Sequence, residues 1–378
     1  MKYKINFRPK VTNFLFFISY MLFVFSLFNR DVSNMSIFYS FSIVAKYVSL
    51  IIMIIGMFYS KYSKKELILF IILLLLDLVI LVNSKVLIFI IISLFAIVST
   101  NINDENILKL AYYTLLIYTI FTLVLLIIGV YDDEITNRWV GGNARHTLGF
   151  YHSNVLPLIY SYLVGYGLAC EIYKKRHYFL LVILNFVIYY LCGSRNVFFT
   201  TLLLITGKWL ADSLLKKEKL KKVFNSVLFF LAKYIVLILT TISLVIPLLV
   251  EHIKLLNILD YILSYRFTAI AKIIQIEGIH LITSITNEAY FSNEIVIDNG
   301  YAFLAIRYGI IILLFLSGIV YLIAKRYRDN TFALILIIVV SCVNFIDNDI
   351  IDYSCLPYLI IGEKCIIESF KRRNKIYG

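Results

Sequence analysis

The sequence predicts an all-α polytopic membrane protein with about twelve transmembrane helices, and three observations lead to this fold class. Hydrophobic residues make up 61% of the 378-residue chain and charged residues only 16%, whereas a soluble domain carries about 25% charged residues. The mean hydropathy is +0.88. Apolar runs of about 17 to 25 residues, long enough to cross a bilayer, recur throughout. They leave no room for a separate soluble domain, so we predict one integral membrane domain over residues 1–378.

The predicted spans follow one another with short polar connections. They lie at 11–28, 37–58, 67–82, 86–99, 107–129, 153–172, 178–193, 196–213, 226–250, 300–323, 331–346 and 353–370. The third, fourth and seventh are short for a hydrocarbon core of about 30 Å, so each is either wrongly divided or part of a tilted or re-entrant pair. The first run lacks an A-x-A-like exit, and we expect it to remain as a signal anchor.

The Lys and Arg residues of the loops predict the orientation. Twenty-three fall on the side of the N-terminus, and eight fall on the other: Arg30, Lys85, Arg138, Arg145, Arg195, Lys254, Arg266 and Lys272. The positive-inside rule therefore places both termini in the cytoplasm of a multi-pass plasma-membrane protein. The net charge of +13 reflects this bias and attraction to anionic lipid headgroups, and we expect no nucleic acid partner.

Two long polar intervals, 130–152 and 251–298, fall on the predicted outer side. The first gathers several polar side chains at the start of the next span: Arg138, Arg145, His146, His152 and Asn154. An alternative role for Asn154 or Ser153 is to cap that span. Apolar residues recur at three- and four-residue steps in the second interval, which predicts one or two amphipathic helices on the outer face. They are either a cap resting on lipid or a lid over a site.

Arginines on the outer side oppose the positive-inside bias. Arg195 lies in CGSRN, between two spans with almost no loop, where a polar group is a functional-site candidate; the alternative is contact with lipid phosphates. Arg307 lies inside the tenth span, about 13 Å deeper than Asp298 if that helix is regular, and it either pairs with an acid or lines a polar cavity. A guanidinium binds phosphate oxygens in a bidentate manner, so a lipid-borne diphosphate fits these cations.

Displacement of a diphosphate by a hydroxyl group needs a base to accept the proton of that hydroxyl. Asp298 is the first candidate because it opens the tenth span at the outer surface, although Asp is also a favoured helix cap. Further candidates follow in this order: His280, His152 and Glu288. The five cysteines show no C-x-x-C spacing and predict neither a disulfide framework nor a metal site.

Four segments resemble, in order and spacing, motifs of the Wzy-type O-antigen and capsule repeat-unit polymerases, which belong to a group that includes the O-antigen ligases. They are RHTLGFYHSN (145–154), SRN (194–196), YRFTAIAKIIQIEGIH (265–280) and DNGYAFLAIRYGII (298–311). Arg138 followed after ten residues by Gly149 resembles the arginine-to-glycine spacing of polymerase external loops. Arg266 and Gly278, with eleven residues between them, form a looser second copy.

The resemblance implies a metal-independent, inverting glycosyltransferase of the GT-C-like type with no cofactor. The growing glycan would leave undecaprenyl diphosphate and join the non-reducing end of a lipid-linked repeat unit on the outer face of the plasma membrane. The implied diphosphate-binding residues are Arg195 and Arg266, assisted by Arg145 or Arg138, with Arg307 as a further candidate. The family often shows a His-Asn pair where this chain has Asp298 and Asn299, so the chain departs from the family at the expected base.

The implied partners are the undecaprenyl-diphosphate-linked oligosaccharide, membrane lipids, and the flippase and chain-length regulator of the same pathway. Three alternatives remain. An O-antigen-ligase-like transferase would differ mainly in its acceptor. A lipid-linked oligosaccharide flippase should show two related halves, and no repeat is visible. A non-catalytic scaffold would not need the outer arginines.

Overall fold

A computed structural model describes residues 7–60, 62–84, 86–136, 144–213, 217–250, 252–262, 265–282, 297–348 and 351–376. These residues are mainly helical, and one two-stranded sheet occurs among them. Contacts group the chain into two compact units. Unit 1 comprises Met1–Glu66, Leu94–Lys216 and Asp352–Lys371, and unit 2 comprises Leu67–Ser93, Lys217–Ile351 and Arg372–Gly378.

The helices follow the predicted apolar segments in order. The first eight are α1 (Phe7–Phe28), α2 (Tyr39–Tyr59), α3 (Lys64–Ser84), α4 (Ile88–Val98), α5 (Asp104–Ile127), α6 (Val155–Ala169), α7 (Tyr178–Cys192) and α8 (Arg195–Ser213). The others are α9 (Glu218–Leu249), α10 (Lys254–Ile262), α11 (Arg266–Glu277), α12 (Gly300–Tyr308), α13 (Ile310–Arg326), α14 (Thr331–Ile346) and α15 (Leu356–Ile376). The strands β1 (Ile135–Thr136) and β2 (Arg145–His146) form the antiparallel pair.

The pairing of α1 with α2 shows how these helices pack without a polar surface. The residues that α2 buries are mostly small and spaced by three or four positions: Ser42, Ala45, Ser49, Met53 and Gly56. Small side chains let the backbones approach closely, and the hydroxyl groups of Ser19 and Ser49 each donate to the other residue's carbonyl at 2.8 and 2.9 Å. The opposite face of α2 exposes larger apolar residues such as Ile51 and Phe58, the latter 85% exposed.

Large apolar residues also lie on the exposed face of α3. Ile68, Ile71, Ile72 and Leu75 are exposed, whereas Asp77 is buried. Exposure of such an apolar surface to water is unfavourable, whereas exposure to lipid tails is not. Within the described ranges, six helices are long and apolar enough to cross a membrane, and α4, α6 and α14 are shorter apolar helices. The chain is therefore an all-α, membrane-embedded protein.

The third and seventh predicted spans, which looked short in the sequence, are longer in the structure. Helix α3 is 21 residues long, and α7 together with the preceding turn gives an 18-residue apolar segment, so both reach spanning length. Helix α4 has only 11 residues. In unit 1, α6 is buried along Val155–Leu168 and contacts α5, α7 and α8.

In unit 2, α9 contacts α13 and α14 along a buried stripe at helical spacing that runs from Asn225 to Pro247. The second polar interval, 251–298, for which one or two amphipathic helices were predicted, contains α10 and α11. Apolar residues of α10 such as Leu255 and Ile258 are exposed.

The tenth predicted span, 300–323, is not one helix. It is interrupted at Gly309, whose φ of +95° ends α12 before α13 begins. The backbone of the 280–282 segment packs into the break: Ile310 N–H donates to the His280 carbonyl at 3.0 Å, and Ile311 N–H donates to the Leu281 carbonyl at 3.3 Å. The continuous helix expected from hydropathy is therefore corrected, because a turn that only glycine adopts easily lies inside the apolar run.

Candidate functional site

The described residues of the first polar interval, 130–152, include the two paired strands in unit 1, which we call the hairpin. Strand β1 pairs with β2, and Ile135 lies opposite His146. Asp133 closes the hairpin, because one carboxylate oxygen accepts the Leu148 N–H at 2.8 Å and the other lies 2.6 Å from Nδ1 of His146. Burial opposes ionisation of Asp133, but the hydrogen bonds from His146 and from the Leu148 backbone hold the pKa of this carboxyl below its usual range.

The hairpin is attached to the connection between α1 and α2. Val32 forms a β-bridge with Phe150, Ser33 N–H donates to the Gly149 carbonyl at 3.0 Å, and Tyr151 N–H donates to the Asp31 carbonyl at 2.9 Å. Gly149 has a φ of +86°, so the glycine of the first arginine-to-glycine motif provides a left-handed turn. Two loops predicted to lie on the same side of the membrane thus meet at one end of unit 1.

Arg145 joins this hairpin to two helices. Its Nε donates to the carbonyl oxygen of Cys192, at the end of α7, at 2.8 Å. One Nη donates to the side-chain oxygen of Asn154, at the start of α6, at 2.6 Å. A Cβ at Gly193 would lie 3.1 Å from the Arg145 side chain, so a residue without one lets the guanidinium approach. Arg145, predicted to assist diphosphate binding, is held by protein acceptors.

The polar residues before α6 make contacts that differ from those that the sequence predicted. Asn154 occupies the N-cap position, but its side-chain oxygen makes no cap bond and accepts from Arg145. His152 is exposed, and its Nδ1 accepts the Asn154 N–H at 3.1 Å. The Ser153 hydroxyl is buried and has no hydrogen-bond partner among the residues that the structure describes. The predicted side-chain cap by Asn154 or Ser153 is therefore wrong.

Arg195 is the first residue of α8 and is exposed. It makes no ion pair within the described parts of the chain. Arg138 and Glu288, two further predicted site residues, lie outside the described residues.

A second polar group in unit 1 was not among the predicted site residues. Arg30 lies 3.3 Å from the carboxylate of Asp352. Burial, and secondarily the charge of Asp352, raises the pKa of Asp31 to about 8, against the opposing effects of Tyr353 and Arg30. The sequence shows Asp31 and Asp352 beside predicted spans and Arg30 on the predicted outer side. Nothing local in the sequence connects residues about 320 positions apart, so this group could not be predicted.

Arg266 is the centre of the polar group in unit 2. One Nη donates to the carbonyl oxygen of Ile346, the last residue of α14, and the other lies 3.3 Å from the carboxylate of Asp298. Its side chain is 26% exposed, and that of Asp298 is 50% exposed. Arg266 and Asp298, each predicted as a site residue, thus form an ion pair.

Asp260, at the end of α10, caps the start of α11, the helix whose first residue is Arg266. Its carboxylate accepts the N–H groups of Phe267 and Thr268 at 2.7 and 3.1 Å and the Thr268 hydroxyl at 2.5 Å. These bonds satisfy the free amides at the start of α11. Gly278, with a φ of +74°, ends that helix. Asp260 was missed because its partners follow a turn rather than the usual adjacent capping position.

Asp298 does not cap α12. Asn299 does so instead, since its side-chain oxygen accepts the Ala302 N–H at 2.9 Å and its side chain is buried. This removes the capping alternative for Asp298 and leaves its carboxylate facing Arg266.

His280 and Arg307 have local partners. Nε2 of His280 donates to the Glu277 carbonyl at 2.9 Å, and the ring is exposed. The Arg307 guanidinium lies over the rings of Phe303 and Tyr308, at 5.3 and 5.7 Å from their centres. These cation–π contacts provide a favourable position for a partly buried charge.

Asp347 follows Ile346 at the end of α14 and was not predicted. Burial raises the pKa of its carboxyl to about 6; Arg266 opposes this shift, and Asp298 adds to it. Among the described residues, no cluster of three or more His, Cys, Asp or Glu side chains suits a metal ion.

Comparisons of the chain with protein-family models, curated proteins and solved structures find no match. The class defined by the fold is that of an all-α membrane protein with separate polar groups, centred on Arg145 in unit 1 and on Arg266 in unit 2.

Proposed function

We propose that this chain is a polysaccharide repeat-unit polymerase. It transfers a growing glycan from undecaprenyl diphosphate to the non-reducing end of a lipid-linked repeat unit, on the outer face of the plasma membrane. The motif resemblance and the membrane-embedded helical fold support this function, and the arrangement of Arg266 carries it. The Lys and Arg bias of the loops supports an outward-facing location for Arg266 and Asp298.

Arg266 suits a diphosphate because only part of its guanidinium is engaged. The side chain has five N–H donors. It contacts the Ile346 carbonyl and the Asp298 carboxylate, and its other donors have no partner within the described residues. Because Asp298 is half exposed, the ion pair contributes only about 0–1 kcal/mol, so exchange of the carboxylate for phosphate oxygens costs little.

In the reaction one bond forms, one bond breaks and one proton is transferred. The acceptor hydroxyl oxygen forms a bond to the anomeric carbon while the bond from that carbon to the diphosphate oxygen breaks, which inverts the configuration. The electron pair of the broken bond leaves with the lipid diphosphate, whose charge Arg266 stabilises. A carboxylate near Arg266 accepts the hydroxyl proton, and the sequence made Asp298 the first candidate for this role.

The test uses the full-length protein in liposomes with undecaprenyl-diphosphate-linked oligosaccharide isolated from cells lacking this chain. We expect a ladder of extended glycans that persists with a metal chelator. Arg266→Ala should lower the rate by about 100-fold or more, whereas Lys272→Ala, which removes an exposed cation from the same helix, should have little effect.

Other results would point elsewhere. Movement of the lipid across the bilayer without bond formation would identify a flippase. A single transfer to a non-repeat-unit acceptor, with no ladder, would identify a ligase. A strict metal requirement would contradict charge stabilisation by arginine alone.

A further inference from the structure

We propose that Asp347, rather than Asp298, accepts the proton of the acceptor hydroxyl, and that Asp347 and Asn348 together form the subsite for that hydroxyl. This assignment rests on the polymerase function proposed above. It concerns the end of α14, immediately beyond the carbonyl that Arg266 contacts.

The first argument is the position of Asp347 beside the leaving-group cation. The side chain of Ile346 is apolar, but its backbone carbonyl accepts a hydrogen bond from one Nη of Arg266. Asp347 is the next residue, in extended backbone, and the charges of Arg266 and Asp298 both act on its carboxyl. Arg266 is therefore flanked by two carboxyl groups in unit 2.

The carboxyl groups of Asp298 and Asp347 differ in their protein partners. Asp298 is within 3.3 Å of Arg266, so its negative charge faces a guanidinium. No hydrogen bond or ion pair connects the Asp347 carboxylate to another described residue, and Asp347 is partly exposed. A carboxylate without a protein partner is available to a substrate hydroxyl.

Burial also suits Asp347 to the task. The pKa of its carboxyl is raised to about 6, with desolvation as the main cause. Its place at a helix C-terminus adds to this, because the carbonyl end of a helix disfavours negative charge. A general base works best when its pKa lies near the operating pH, so that it is ionised yet accepts a proton readily.

The second, independent observation is the unpaired side-chain oxygen of the residue next to Asp347. The side-chain oxygen of Asn348 is buried and has no hydrogen-bond partner among the described residues. A buried acceptor of this kind is costly unless a donor reaches it. Sugars carry several neighbouring hydroxyl donors, so one hydroxyl can donate to Asn348 while its neighbour loses a proton to Asp347.

In the proposed step, the O–H bond of the acceptor hydroxyl breaks as its oxygen bonds to the anomeric carbon. The proton goes to the Asp347 carboxylate, and the diphosphate leaves with the electron pair of the broken glycosidic bond on the side of Arg266. Asp347 then returns the proton to water.

The experiment compares Asp347→Asn and Asp298→Asn in the liposome assay with the isolated lipid-linked oligosaccharide. Asn is nearly isosteric with Asp, so both variants should fold, which elution as a single species would verify. We expect Asp347→Asn to lower kcat by about 100-fold or more with KM for the donor within about threefold. Asp298→Asn should retain at least about a tenth of the rate.

A pH profile separates proton transfer from a structural role. The kcat of the unaltered chain should rise with pH through about 6 and then level off. The residual rate of Asp347→Asn should lack this rise, and Asp347→Glu should restore part of it. Asn348→Ala should raise KM for the acceptor more than it lowers kcat.

The outcomes are distinct. If the unaltered chain forms no ladder, the proposed polymerase function fails, and the Asp347 assignment fails with it. If a ladder forms and Asp347→Asn keeps more than about a third of the rate, or if Asp298→Asn alone removes the pH-dependent rise, the Asp347 assignment is overturned while the function stands.

Discussion

The guanidinium of Arg145 donates a 2.6 Å hydrogen bond to the side-chain oxygen of Asn154, nine residues later in the chain. The bond crosses from strand β2 to the first turn of α6. It fixes the hairpin against the buried helix α6 and uses an amide that the sequence suggested as a helix cap.

Asn154→Ala should lower the free energy of unfolding by about 1.5–3 kcal/mol, because it removes a hydrogen bond to a charged group and leaves Arg145 short of an acceptor. Thermal unfolding in detergent would measure the change, and faster proteolysis within the hairpin should accompany it. Asn196→Ala, at an exposed position of α8, is the control. Equal stability of the two variants would contradict the structural role of the Arg145–Asn154 bond.

Arg195→Ala should leave folding and membrane insertion unchanged, within about 0.5 kcal/mol, because the side chain is exposed. If Arg195 contacts the diphosphate, the variant should nevertheless lose chain extension by about 100-fold or more. Polymer length in cells that carry the variant is the readout, with Lys219→Ala, an exposed cation of α9, as control. Normal polymer length would remove Arg195 from the site.

Gly309→Ala should destabilise unit 2 by more than about 1 kcal/mol. Alanine is strained at a φ of +95°, and its Cβ would overlap the backbone of Leu281. Gly318→Ala, within α13, meets no atom within 4 Å and should be tolerated. Thermal unfolding, together with protease accessibility of residues 278–282, would show whether the helix break holds this segment. Similar behaviour of the two variants would argue against it.

Lys364→Met should be strongly destabilising, by about 3–5 kcal/mol, because it leaves the buried Asp104 carboxylate without its cation. Lys364 is only 2% exposed; it lies 2.7 Å from Asp104 and also donates to the Ile102 carbonyl. Lys109→Met, which breaks an exposed pair with Glu105, should change the melting temperature little.

The double variant Lys364→Met/Asp104→Leu should recover part of the loss, because the Asp104 carboxylate is then no longer buried without its cation. A single Lys364→Met variant as stable as the unaltered chain would show that this buried pair does not support the fold of unit 1.

Stability should depend on pH through Asp31. Burial and the charge of Asp352 raise the pKa of Asp31 to about 8, above its ordinary value of 3.8. The folded state therefore binds a proton that the unfolded chain has released, and this contribution is fully present in acid and is lost as pH rises through about 8. Asp31→Asn should flatten the fall in melting temperature between about pH 4 and pH 8, the interval between the pKa of this carboxyl in the unfolded chain and its pKa in the folded protein.

Asp132→Asn is the control for Asp31→Asn. Asp132 is an exposed acid close to Asp31, because its backbone N–H donates to the Ser33 hydroxyl. The control should keep the pH dependence of the unaltered chain. An unchanged dependence in Asp31→Asn would contradict a raised pKa for this carboxyl.

Part of the candidate site could be predicted from the sequence. Arg266, Asp298 and Arg145 stood out because charged residues are rare in this chain and fall between apolar runs. Asp260 and Asp347 did not, because their significance depends on partners that another helix or a turn supplies. Likewise, Asp352 lies beside Arg30 only after the chain has crossed unit 1 several times.

The sequence by itself determined the class of protein and the order of its helices, because hydropathy and helical periodicity are local properties that each segment carries alone. Tertiary structure decided the break at Gly309, the assignment of Asn154 to Arg145, and the position of Arg266 between Ile346 and Asp298. These features arise when helices distant in sequence pack together, since each polar group takes the partner that packing brings within hydrogen-bonding distance.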